Sequence, residues 1–204
     1  MKLYMTPGSC STGIHILLEE LDQAFEAYIV NLPAGDHTKP DYLAINPKSS
    51  IPTLVRDDGS VLTEFQAIAY WLARSYPRGR LLPGDADGDA RVIEAMDYVV
   101  GTVHGQGFAR IFTTANFTPN EADHEAVKAR GRQIVERGFT LMNDALAGKE
   151  YVVGSFSIAD AALFYVEFWA DKIAIDLPEH CRAHYQRMLA RPVVQRVLRE
   201  EGYR

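Results

Sequence analysis

The chain reads as an α/β N-terminal domain followed by an all-α C-terminal domain. Three observations lead there. Short apolar runs alternate with helical patterns over residues 1–77, in the order β-α-β-α-β-β-α. A stretch rich in Gly, Pro and Asp, "RGRLLPGDADGD" at residues 78–89, then reads as a linker. Beyond it only helical periodicity recurs. The expected division is thus a mixed domain over 1–77, a linker over 78–89 and a helical domain over 90–204.

Each element has a local cause. Lys2–Met5 is a short strand, and Thr6-Pro7-Gly8 is a turn. Cys10 and Ser11 open an amphipathic helix to Leu21, with Ile14, Ile16, Leu17 and Leu18 among its apolar positions. Phe25–Asn31, "FEAYIVN", alternates as a strand would. An irregular polar stretch runs from Pro33 to Pro40. Tyr42–Ile45 is a helical turn closed by Asn46-Pro47. Thr53–Val55 and Val61-Leu62 flank Asp57-Asp58-Gly59-Ser60, a strong hairpin turn. Phe65–Tyr76 is an apolar-rich helix stopped by Pro77. The later helices are expected over Ala90–Gly105, Glu121–Ala147, Ile158–Ala170, Glu179–Ala190 and Val193–Glu200. Ser157 and Asp160 have the spacing of a capping box, and Pro192 suits the first turn of the last helix.

Composition narrows the function classes. The 204 residues are 47% hydrophobic and 24% charged, ordinary for a globular protein. A net charge of −6 without a basic block argues against nucleic acid or an anionic membrane as partner. No apolar run is long enough to span a bilayer, and the N-terminus does not read as a signal peptide. Two cysteines, Cys10 and Cys181, make a poor disulfide framework, so a reducing cytoplasm is the expected location.

Few residues stand out chemically. Cys10 lies where a strand becomes a helix, and free N–H groups and the helix dipole there favour a thiolate. Its pKa is expected to fall below the ordinary value of about 8.5. It is a reactive thiol, a marker for a docked sulfur ligand, or a small residue filling a tight turn. Ile51-Pro52 precedes a strand; trans is the commoner X–Pro state, while a cis bond would expose backbone to a peptide-like ligand. Glu64, in Thr63-Glu64-Phe65-Gln66, either complements a helix dipole or answers an ammonium group. His104 lies near a helix end and reads as an ordinary polar residue, as do His15, His37, His124, His180 and His184. His180-Cys181-His184 comes nearest to metal-ligand spacing but has no second tract, so no metal is expected. Cys181 reads as structural. Phosphate-loop, dinucleotide and nucleophile-elbow motifs do not occur.

The segments "MKLYMTPGSCS", "YLAINPKSSIPTLVRDDGSVLTE", "AIAYWLA", "FSIADAALF" and "ARPVVQRVL", in this order, resemble the cytosolic glutathione S-transferases, and among them the bacterial beta class. The resemblance spans almost the whole chain. It implies a thioredoxin-like N-terminal domain, a helical domain carrying the electrophile-site wall, a homodimer, and glutathione as co-substrate without a metal. Cys10 matches the cysteine beside the glutathione sulfur, and Ser11 a neighbouring hydroxyl that steadies the thiolate. Ser50, Ile51 and Pro52 match the loop that pairs with the cysteinyl part of glutathione, which favours a cis proline. Glu64 and Phe65, with Gln66 next to them, match the γ-glutamyl site. His104 matches a histidine facing the sulfur, and Asp97 a polar residue reaching glutathione, often across the dimer. Phe108, Arg110, Ile111 and Phe112 are candidates for the electrophile wall, with core packing an equal reading for the aromatics.

The sequence also departs from the family pattern. Phe65 stands where Ser or Gly is usual, and Ser49-Ser50 replaces Gly-Gln. The stretch after His104 is one residue longer, so that match can slip to Gly105. The basic ligand expected around Pro33–Thr38 has no clear counterpart, although Lys39 and Lys48 are near. The resemblance implies an enzyme that conjugates glutathione to small hydrophobic electrophiles. A thiol–disulfide reductase with Cys10 as nucleophile is the alternative, and a non-catalytic glutathione- or partner-binding module is the third reading.

Overall fold

In the computed structural model, which describes residues 1–203, the chain forms two compact units. One comprises Met1–Gly84 together with the chain from Met188 onward; the other is Asp85–Arg187.

The first unit is built on a four-stranded mixed sheet of order β2-β1-β3-β4. Strand β1 (Lys2–Met5) pairs in parallel with β2 (Glu26–Ile29) and antiparallel with β3 (Thr53–Val55), which pairs antiparallel with β4 (Val61–Thr63). The β1–β2 crossover carries helix α1 (Ser11–Glu20); a short α2 (Pro40–Leu43) precedes β3, and α3 (Phe65–Ser75) follows β4. This is a thioredoxin-like arrangement, as the resemblance implied. Strand alternation sorts the side chains. Leu3 opposes Leu54 in the β1–β3 register, and both are fully buried, as are Ile14, Leu17, Leu18, Ile68 and Leu72 of α1 and α3. Tyr4 points to the other face and packs with Val30 and Tyr42.

The second unit is helical: α4 (Ala86–Asp97), a π-helical segment (Tyr98–Phe108), α5 (Ala109–Phe112), α6 (His124–Leu146), α7 (Ile158–Lys172) and most of α8 (Glu179–Ala190). Its core includes Val99, Val103, Phe108, Val135, Phe139 and the α7 residues Leu163–Val166. Close helix approach is what glycine permits here. A Cβ on Gly131 would lie 2.7 Å from the Gly107 carbonyl oxygen, and one on Gly138 would lie 2.5 Å from Val103 Cγ2.

Several boundaries differ from expectation, three of them in ways that matter for the site or the domains. Helix α4 starts at Ala86 rather than Ala90, because the Asp85 carboxylate accepts the Gly88 N–H (2.8 Å) and caps it. The helix does not stop at Gly105; it widens into the π segment, where the Ala109 N–H reaches the His104 carbonyl. A π turn is the form in which a helix absorbs an extra residue, and His104 lies within it. Finally, α9 (Pro192–Glu200) belongs with the first unit, not with the helical domain expected over 90–204. Its apolar face (Val194, Val197, Leu198) is buried, and Arg191 next to it donates to Glu20 of α1 through Nε (2.9 Å) and a terminal nitrogen (2.7 Å).

Candidate active site

Cys10 sits at the N-cap of α1, 8% exposed, with its Sγ 3.6 Å from the Ile51 carbonyl oxygen. The expected fall in pKa is reversed. Burial pushes the thiol up to about 12, against the backbone N–H groups of Cys10 and Ser11, and the Glu64 carboxylate adds to the rise. Desolvation outweighs the helix start because the sulfur lies under the loop before β3 rather than in solvent. Ser11 also departs from its expected role. It is fully buried, its Oγ accepts the Thr6 N–H (3.1 Å) and donates to the Thr6 carbonyl (3.1 Å), and Ser9 Oγ lies 2.6 Å away. One hydroxyl proton cannot serve both Thr6 and a thiolate. Ser11 therefore holds the β1–α1 turn closed.

The loop before β3 is locked from below. Tyr42 Oη (2.6 Å) and Asn46 Nδ2 (2.8 Å) both donate to the Ser50 carbonyl, and Asn46 Nδ2 also reaches Thr53 Oγ1 (2.9 Å). These bonds spend the Ser50 carbonyl on structure and leave its neighbours presented. The Ile51–Pro52 peptide is cis. Among the described residues the Ile51 N–H has no hydrogen-bond partner.

Glu64 holds a left-handed backbone (φ 71°) at the start of α3, a conformation that costs a non-glycine residue of the order of 1–3 kcal/mol and clusters at functional sites. Its exposed carboxylate meets Lys48 Nζ at 2.7 Å, and Lys48 also bonds Thr63 Oγ1 (3.0 Å). Lys48 thus supplies a cation at this corner, whereas Lys39 is held by Asp36. The Phe65 side chain is buried in the core, so only its backbone can meet a ligand; Gln66 is half-buried.

In the helical unit, His104 lies on the π segment. Its Nδ1 is 3.1 Å from Tyr165 Oη, and its ring meets Tyr165 and Trp169 edge-on at 5.7 and 4.8 Å. Burial lowers its pKa to about 4, so the imidazole is neutral at physiological pH. Phe108 is fully buried, which removes it from the expected wall; it supports Phe112 from behind (5.6 Å, stacked) and Trp169 (5.3 Å). Phe112 is 48% exposed and Ile111 half-buried. Arg110 bonds the Gln106 carbonyl (2.6 Å) and lies over Phe117. Asp97 is exposed on α4. Sequence reasoning missed Tyr165 and Trp169, whose only signal was their i, i+4 spacing on α7.

A second polar centre of this unit was also missed. The capping box is present: Asp160 accepts the Ser157 N–H (2.8 Å) and hydroxyl (2.9 Å), and the Val152 N–H (2.9 Å). Behind it, His184 Nε2 meets Asp160 (3.2 Å) and its Nδ1 meets Glu167 (2.8 Å), all three side chains fully buried. Burial alone would lower the His184 pKa, but the Glu167 and Asp160 carboxylates outweigh it and raise it to about 10. In the tract His180-Cys181-His184, the His180 backbone N–H donates to Asn143 Oδ1, the Cys181 thiol faces the Phe139 carbonyl, and the His184 ring is taken up by Asp160 and Glu167.

Comparison with known proteins places this architecture. Residues 8–75 match "Glutathione S-transferase, N-terminal domain" and residues 125–187 match "Glutathione S-transferase, C-terminal domain". The chain is 38% identical over 211 residues to "Glutathione S-transferase GstA" of Escherichia coli O157:H7, covering 99% of each. A glutathione transferase homolog from Sulfitobacter, solved with bound glutathione, superposes with a TM-score of 0.91 at 30% identity, covering 100% of this chain and 98% of that one. A bacterial beta class glutathione S-transferase of Sphingomonas chungbukensis gives a TM-score of 0.86 at 32% identity over the full length of both.

Proposed function

The chain belongs to the glutathione S-transferase family, and from that premise we propose how its residues divide the conjugation of glutathione to a small hydrophobic electrophile. Glu64 answers the ammonium of the γ-glutamyl group, and the α3 start at Phe65 and Gln66 receives its carboxylate. Ser50, Ile51 and Pro52 form the edge along which the tripeptide lies, with the Ile51 N–H and carbonyl pairing to its cysteinyl backbone. Cys10 lies beside the glutathione sulfur and shapes its place without attacking. A buried thiol that stays protonated at neutral pH supports conjugation over the thiol–disulfide reading, which needs a thiolate. The nucleophile is then the sulfur that glutathione brings, stabilised electrostatically at the helix start. His104, a neutral hydrogen-bonding group, and the Ile111, Phe112 and Arg110 surface serve the electrophile. The active form is a homodimer, with Asp97 reaching toward glutathione, and it works in the reducing cytoplasm.

The observation that carries the glutathione half is Glu64: a strained residue whose carboxylate projects beside a helix start and a lysine. Calorimetric titration with glutathione tests it. Glu64→Ala should weaken binding by about 1.5–3 kcal/mol, the size of a hydrogen bond to a charged group. Unchanged affinity would remove Glu64 from the site. Cys10→Ala should retain most conjugating activity toward a model electrophile; its loss would show that Cys10 is needed to hold or activate the glutathione sulfur. Light scattering that gives a mass near 22.8 kDa at micromolar concentration would count against the dimer.

A further inference from the structure

The first unit carries a second cluster of titratable groups, none of which has a part in the glutathione site proposed above. His15 lies on α1 with 5% of its side chain exposed. Its Nδ1 is 2.9 Å from Glu201 Oε1, and the other Glu201 oxygen accepts the Gly8 N–H and the Thr12 hydroxyl, each at 2.7 Å. Glu201 is thus acceptor-only and rigidly held, so Nδ1 must carry the proton it receives. That leaves Nε2 as the ring nitrogen turned toward Glu19 and Glu200. Nε2 points at Glu200 Oε2 (3.2 Å) without the alignment of a hydrogen bond. One ligand atom each from His15, Glu19 and Glu200 lies within 4.8 Å of the others.

We propose that His15 Nε2, Glu19 and Glu200 form a binding site for a divalent transition-metal ion of the Zn²⁺ class. Three features support it. The buried His15 Nε2 faces the Glu200 carboxylate without an aligned hydrogen bond, an arrangement that a cation between them satisfies. The carboxylate of Glu201 on Nδ1–H is the outer partner that metal-ligating histidines almost always have, because it fixes the tautomer and raises ligand basicity. And one imidazole with two carboxylates is a donor set that suits borderline divalent ions at about 2.0–2.2 Å, a spacing that small side-chain rotations reach. Glu19 also pairs with Arg196, so it offers the ion one oxygen rather than two. A cavity of about 450 Å³, bordered by Glu19, Gln23, Phe25 and Glu200, adjoins the cluster and gives room for water ligands. The ion joins α1 to α9 and so fastens the C-terminal segment to the thioredoxin-like unit. The absence of a metal-ligand spacing in the sequence is no obstacle, because His15 and Glu200 come from opposite ends of the chain.

The full-length protein, stripped with chelator, is titrated with Zn²⁺ by calorimetry and with Co²⁺ by visible absorption. One Zn²⁺ per chain is expected, with a rise in Tm that grows with metal concentration. Glu200→Gln changes an exposed carboxylate and should leave the circular dichroism intact while weakening Zn²⁺ at least tenfold; Glu19→Gln should act alike. Glu201→Gln should weaken it about 10–100-fold through the outer partner. The Co²⁺ spectrum should show ligand-field bands without thiolate charge transfer. No saturable binding, unchanged affinity in Glu200→Gln, or a thiolate band placing the metal on Cys10 or Cys181 would each overturn the site. So would His15 ring resonances that Zn²⁺ leaves unchanged.

Discussion

His104 and His184 lie in the same helical unit, one half-buried and the other fully buried, and they are pushed in opposite directions. His104 is surrounded by the rings of Tyr165 and Trp169, with one phenol oxygen as its polar contact, and burial alone carries its pKa down to about 4. His184 is fully desolvated, but two carboxylates stand within 3.2 Å and its pKa rises to about 10. Burial decides only the cost of a charge; the neighbours decide whether the charge is kept. One histidine is thereby a neutral group on the candidate electrophile surface, and the other is a cationic rivet between α7 and α8.

The comparison can be broken most severely at His184. His184→Ala leaves Asp160 and Glu167 buried without their partner, and Glu167 Oε1 already lacks a hydrogen bond. Removing one member of a buried ion pair costs about 3–5 kcal/mol, so chemical denaturation should show a loss of that size. A loss under about 1 kcal/mol would mean that the triad is not charged.

The next effect is the pH dependence of stability. The folded pKa of His184 lies above its ordinary value of 6.5, so its stabilising contribution is complete below that value. It is lost as pH rises through about 10. The Tm of the wild type should therefore fall between neutral pH and pH ~10, and His184→Gln should flatten that alkaline slope. Parallel slopes in the two proteins would assign the alkaline loss to other groups.

At His104 the expected changes are smaller. Tyr165→Phe removes the phenol that meets Nδ1 and should cost about 1 kcal/mol or less, the net worth of one neutral hydrogen bond. The finest test is spectroscopic. The ring resonances of His104 should stay those of a neutral imidazole as pH falls through the ordinary value of 6.5, titrating only toward pH 4. A midpoint near the ordinary value would show that the aromatic cluster admits water, and the two histidines would then differ in degree rather than in kind.

Periodicity alone set out the order of strands and helices, because alternation at period two and near 3.6 is written locally. The turn at Asp57–Ser60, the capping box at Ser157 and Asp160, and Pro192 at the start of the last helix are equally local, since each is a backbone requirement met by a residue type. The resemblance supplied the cis Ile51–Pro52 bond, which the residues by themselves did not favour. What the sequence could not carry is what depends on surroundings. The helix start at Cys10 pointed to a lowered pKa; the cover of the Ile51 loop reversed it. Ser11 carried a hydroxyl suited to a thiolate, and the Thr6 turn consumed it. Phe108 read as wall or core, and only packing made it core. The return of α9 to the first unit, and the meeting of His15 with Glu200 and of His184 with Asp160 and Glu167, join residues that no local pattern links. Solvent exclusion and charge proximity are properties of the assembled volume, so tertiary structure alone decided which titratable groups are neutral, charged or spent.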